Sequence, residues 1–136
     1  MAALFEETRL NGMVLANRFV RSATWEGMAG DDGSATPRLA DHMAALARGG
    51  VGLIISSHAY VHRNGQAGPR QLGVYSDDLL PGLTAMADAV HENNGKIVLQ
   101  LAHAGFFAAA GLTGHPPFAV SNIEGIAKSP LMELTQ

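Results

Sequence analysis

In the run KIVLQLAHAG, Lys96 to Gly105, a carboxamide at Gln100 interrupts an otherwise apolar stretch that closes on a histidine and a glycine. An amide placed inside such a run has to be hydrogen-bonded, and its adjacent donor and acceptor suit a ligand edge on which the two alternate. The other reading is a core glutamine satisfied by neighbouring backbone or by a side chain from another strand. Other residue types also invite chemistry. His58 and His62 are four apart, yet no carboxylate triad or cysteine set accompanies them, so no metal site is expected. Asp31-Asp32 and Asp77-Asp78 read as solvated or helix-capping acids rather than a catalytic pair. GMAGDDG, Gly27 to Gly33, lacks the spacing of a phosphate loop and reads as a flexible lid. Ser56-Ser57 lacks the context of a nucleophile elbow. Tyr60 and Tyr75 read as packing residues that could also line a mouth.

The elements that must position these residues follow from periodicity. LFEETRLNGMVLAN, Leu4 to Asn17, reads as a hairpin turning at Asn11-Gly12. RFVRSAT, Arg18 to Thr24, reads as a first parallel strand followed by a long glycine-rich loop. Pro37 opens a helix whose apolar stripe is Leu39, Met43, Leu46 and Ala47, stopped at Gly49-Gly50. VGLIIS, Val51 to Ser56, is a continuous apolar run suited to a parallel strand covered on both faces. A second long loop follows, then a helix capped by Ser76 or Asp77 with a stripe of Leu80, Leu83, Ala87 and Val90. KIVLQLA, Lys96 to Ala102, is the third strand. The segment after Gly105 is too rich in Gly and Pro for regular elements and reads as loop with short irregular pieces.

Strand, helix, strand, helix, strand implies right-handed βαβ units and a parallel sheet. The loops after strands are long and those after helices short, which puts the working surface at the carboxyl ends of the strands. If Ile97, Leu99, Leu101 and His103 face the helices, Gln100 faces the centre of the sheet or barrel. A flavin's pyrimidine edge is one ligand edge its amide would match.

Composition bounds the rest. The 136 residues are 47% hydrophobic and 15% charged with a formal net charge of -3, an ordinary globular composition that fits one domain, and they include no cysteine. Disulfides, cysteine-ligated metals and a thiol nucleophile are thereby excluded from this chain, and a reducing cytoplasm is compatible and is the expected location. Nine scattered Lys and Arg against twelve acids give no nucleic-acid footprint. No apolar run approaches the ~18 residues of a membrane span, and the N-terminus has no signal-peptide pattern, so neither nucleic acid nor membrane is expected as a partner.

Four pieces, LFEETRLNGMVLANRFVRSAT, GGVGLIISSHAYV, LGVYSDD and DAVHENNGKIVLQLAHAG, together resemble the N-terminal part of the old yellow enzyme family, FMN-dependent NAD(P)H:flavin oxidoreductases and ene reductases. The likeness runs in register from about Leu4 to Gly105. It implies an α/β fold, the N-terminal part of a (β/α)8 TIM barrel, with residues 1–136 forming a single partial domain. It also implies FMN as cofactor and NAD(P)H as reductant, serving an activated alkene or another small-molecule substrate.

Residue by residue, the resemblance sets Ser22, Ala23 and Thr24 along the flavin ring, Ser57 and His58 beside it, and Gln100 on the pyrimidine side. His103 belongs to the same QLAHAG motif and reads as an anchor of the strand end. Trp25, where relatives often carry Cys or Thr, either covers part of the ring or packs beneath the loop. His58 replaces a small residue, and Phe106 stands where many members have arginine, so both reshape the mouth. A barrel needs about 250 residues, so the substrate-activating residues and the phosphate-holding loops are expected beyond Gln136. A C-terminal barrel portion or a homo-oligomer is the expected partner. The alternatives are a truncated non-enzymatic fragment or interaction module, or another FMN barrel or flavodoxin-like binder.

Overall fold

The computed structural model describes residues 2–121 and 131–134. Strands β1 (Thr8–Leu10) and β2 (Met13–Leu15) form the expected antiparallel hairpin. Asn11 takes the left-handed backbone angle, φ 51°, that a two-residue turn requires, and Gly12 does not need one.

Three parallel strands, β3 (Val20–Arg21), β4 (Leu53–Tyr60) and β5 (Ile97–Ala102), lie side by side in that order. Helix α1 (Pro37–Arg48) crosses between the first pair and α2 (Leu80–His91) between the second. Asn17 locks the entry to β3, since its carboxamide donates to the Gly50 carbonyl at 2.6 Å and accepts the Phe19 N–H at 3.0 Å. Strand β3 is shorter than the sequence implies. Strand β4 is longer, so Ser57 and His58 lie in a strand and not in the loop after it.

Thr36 caps α1 by accepting the Leu39 N–H, and Leu39, Met43, Ala44 and Ala47 are buried, so Ala44 rather than Leu46 completes the covered stripe. Ser76 caps a short 3-10 turn, Asp77–Leu79, that leads into α2. The buried residues of α2 are Met86 and Val90, whereas Leu80, expected inside, is exposed. These two helices close one core with Ile54 and Ala59 of β4 and with Ala29 and Leu72, and Ile97 and Leu99 of β5 pack against it.

Beyond Gly105 the chain forms α3 (Ala110–Thr113) and a minimal parallel pair, β6 (Phe118–Ala119) and β7 (Met132–Glu133). The irregular reading of this segment holds for these pieces, and its portion at 122–130 lies outside the described residues. No helix among the described residues is long and apolar enough to cross a membrane.

Candidate functional site

The centre of the site is a register shift. From Ile55 to His58 is three steps on β4, but their partners Val98 and Gln100 are two steps apart on β5, so β4 carries one extra residue. In a regular strand Ile55 and His58 would point to opposite faces; the extra residue turns His58 onto the face of Val98 and Gln100. Ser56, fully buried, repairs the ladder. Its hydroxyl accepts the Gln100 N–H at 3.1 Å and donates to the Ser57 carbonyl at 2.7 Å.

Because Ile97 and Leu99 pack toward the helices, Gln100 points the other way, as its alternation requires. The expectation of a buried amide is corrected, since Gln100 is exposed on the open face of the sheet. The most deeply buried amide among the described residues is instead that of Gln71, 1% exposed, whose Oε1 accepts the Ala67 N–H at 2.7 Å and whose Nε2 donates to the His58 carbonyl at 3.1 Å. Nothing in the local pattern around Gln71 distinguishes it from a loop glutamine.

Ser22, Ala23 and Thr24 follow β3 directly, and Ser22 and Thr24 are exposed. Thr24 donates its hydroxyl to the Ser22 carbonyl at 3.1 Å. Arg21 holds this run from beneath. Its guanidinium donates to the Ile55 carbonyl at 2.8 Å and the Thr24 carbonyl at 3.1 Å, and it pairs with Glu26, the two side chains being 14% and 5% exposed. An arginine inside an apolar strand, with an acid five residues on, was the available signal for this pair. Ser57, only 2% exposed, is covered by the chain itself, unlike Ser22, Thr24 and Gln100.

The glycine-rich segment after β3 is not a flexible lid. Ala29 N–H donates to the Arg70 carbonyl, Gly73 N–H to the Gly33 carbonyl, and the hydroxyls of Tyr60 and Tyr75 both donate to the Asp32 carbonyl, at 3.1 and 2.8 Å. Gly33 sits at φ +88°, and a Cβ there would run into the Tyr60 hydroxyl. Ser34 donates to Asp32 and holds its carboxyl below the usual carboxylate range. Burial, with Tyr75 alongside, pushes the Tyr60 phenol up to about 12.

Trp25 is 49% exposed, and its six-membered ring lies along Gly27 and Gly68. His103 accepts the Gly105 N–H on Nδ1 at 2.9 Å, an anchoring role, with its ring against Gly65. Phe106 lines an apolar hollow of about 530 Å³ with Phe107 and Phe118. His58 and His62 belong to no group of three or more metal-binding side chains among the described residues.

Three adjacent parallel strands joined by helical crossovers, with the polar residues collected at their carboxyl ends, are the opening part of a (β/α)8 barrel. The chain belongs to the NADH:flavin oxidoreductase / NADH oxidase family, whose model matches residues 3–131. It is 38% identical to the NADH oxidase of Thermoanaerobacter brockii over 122 residues, 88% of this chain and 19% of that protein. It is 34% identical to the NADPH dehydrogenase of Listeria welshimeri over 137 residues, 100% of this chain and 40% of that one. The old yellow enzyme homologue of Zymomonas mobilis superposes with a TM-score of 0.82 at 29% identity, over 88% of this chain and 33% of its own. The chain thus spans less than half of each of these relatives.

Proposed function

We propose that this chain is the FMN-receiving part of an NAD(P)H-dependent flavin oxidoreductase, with residues 1–136 forming a single partial domain of its barrel. The observation that carries the reading is the pairing of His58 with Gln100 on the open face of the sheet. The residues present fit a flavin. Gln100 is exposed, and among the described residues its amide is free for a donor–acceptor edge and the N–H groups of Ala23 and Thr24 make no backbone hydrogen bond.

In this reading Gln100 orients the pyrimidine side and the run Ser22, Ala23, Thr24 lies along the ring. His58 borders it, held by Gln71 through its carbonyl, whereas Ser57, expected beside the ring, is covered by the chain and does not reach it. FMN, when bound, supplies the hydride chemistry, taking two electrons from NAD(P)H and passing them to an activated alkene or another small-molecule acceptor. The chain's own part is positioning. Arg21 fixes the Thr24 carbonyl and Ser56 fixes the backbone of Gln100, so the cradle is ordered before the cofactor arrives.

The test is an FMN titration of the purified chain followed by flavin fluorescence. Saturable binding, weakened about tenfold in Gln100→Ala, is the expected result, that being the loss of one good hydrogen bond in a partly covered site. Equal affinity of the variant, or no binding by the folded chain, overturns the reading.

A second reading has its own observation. Val20, Val98 and Leu101 of the sheet are 49%, 40% and 63% exposed, so the sheet offers apolar surface to another segment or chain. A chain that acts as an interaction module, without its own turnover, would bury that surface and leave FMN affinity indifferent to Gln100.

A further inference from the structure

A cavity of about 550 Å³ opens between the segment after β4 and the segment after α3, lined by His62, Arg63, Asn64, Tyr75, Thr113 and His115. Its walls differ in kind from the hollow around Phe106 and Phe118. Here an arginine, two imidazoles, a carboxamide, a phenol and a threonine hydroxyl meet, and no carboxylate is among the described lining residues. Among the described residues Arg63 pairs with no acid within 4 Å. Asp32 feels the charge of Arg63, but its carboxylate is already engaged by Ser34.

The parts of this basket are held in place without a ligand. The Arg63 guanidinium carbon lies 4.6 Å above the Tyr75 ring centroid. That ring is itself stacked on Tyr60 at 5.1 Å and tied through its hydroxyl to the Asp32 carbonyl. A guanidinium resting on a fixed ring gives up little freedom when it binds. His62 accepts the Asn64 N–H on Nδ1 at 3.2 Å, so the neutral ring carries its proton on Nε2, a donor. Thr113 accepts the His115 N–H at 3.3 Å and donates to the His115 carbonyl at 3.0 Å, which fixes that backbone while the imidazole remains exposed.

We infer that this basket binds phosphate, as a phosphomonoester or diphosphate group carried by a nucleotide-type ligand. Donors reach it from two separate segments, at 62–64 and at 113–115. A tetrahedral, multiply charged oxyanion engages donors on several sides, whereas a planar carboxylate would be served by the arginine fork alone. The cavity is several times the size of a phosphate group, leaving space for an attached sugar. The inference is independent of the flavin reading, because none of the basket residues belongs to the Gln100 cradle.

The test is isothermal titration of the full chain, without flavin, using inorganic pyrophosphate, ADP and adenosine 2′,5′-bisphosphate at low and raised salt. Saturable binding of at least one probe, weakened by salt, is expected. Arg63→Gln should lose roughly tenfold or more, and Arg63→Lys less, since it keeps the charge but not the fork. His115→Gln should lose a few-fold; its side chain is exposed and makes no hydrogen bond among the described residues, so this variant decides if Arg63→Gln fails to fold. Preference for the 2′,5′-bisphosphate marks a phosphomonoester ligand, and similar affinity for pyrophosphate and ADP marks a diphosphate. No saturable binding by the folded chain, or binding unchanged in both Arg63→Gln and His115→Gln, overturns the inference.

Discussion

The fate of two glutamines shows what burial asks of an amide. Gln71 is enclosed, and both of its functions are used on backbone groups, as the cost of about 1–3 kcal/mol for an unpaired buried polar group demands. Gln100 faces outward and so keeps its amide for something else. Tyr60 gives a prediction of the same kind. Its phenol is buried and its ionisation is pushed up to about 12, above the unfolded value near 10. A raised folded value means that the folded state favours the neutral phenol, so its contribution is complete below about 10 and is lost as pH rises toward 12. Thermal unfolding followed between these limits should show stability falling with pH, and Tyr60→Phe should flatten that slope. The same variant should lose about 1 kcal/mol at neutral pH, because Tyr75 still donates to the Asp32 carbonyl.

Among the elements, the extra residue in β4 governs which side chains share a face. Ser56→Ala removes the hydroxyl that joins the Gln100 N–H to the Ser57 carbonyl, and should cost about 1–3 kcal/mol as a lower urea midpoint with an unchanged slope. Helices α1 and α2 and strands β4 and β5 were legible because their signals are local: periodicity, a proline at the first turn, glycine or asparagine at the end. The alternation around Gln100 gave its direction correctly but not its exposure, which depends on what covers the open face. Reading Gly27 to Gly33 as a lid failed because the bonds that pin it come from Tyr60, Arg70, Gly73 and Tyr75, far along the chain. The clasp of Arg21 on the Ile55 carbonyl was illegible for the same reason.

For the molecule as a whole, the three-stranded parallel sheet ends at β3 on one side and β5 on the other, with apolar Val20 and Val98 uncovered. Unpaired edges beside exposed apolar surface favour association. Sedimentation of the purified chain should therefore show self-association that increases with concentration, and a cooperative melt of a dilute monomer would contradict this. The shared acceptor at Asp32 bears on how chains of this kind can vary in length. Two tyrosines, one at the end of β4 and one just before α2, close on a single carbonyl that lies between β3 and α1. The segments at 27–36 and 70–75 are in effect riveted together. An insertion or deletion in either would pull the rivet out of line unless the other changed to match, so their lengths should be inherited as a pair.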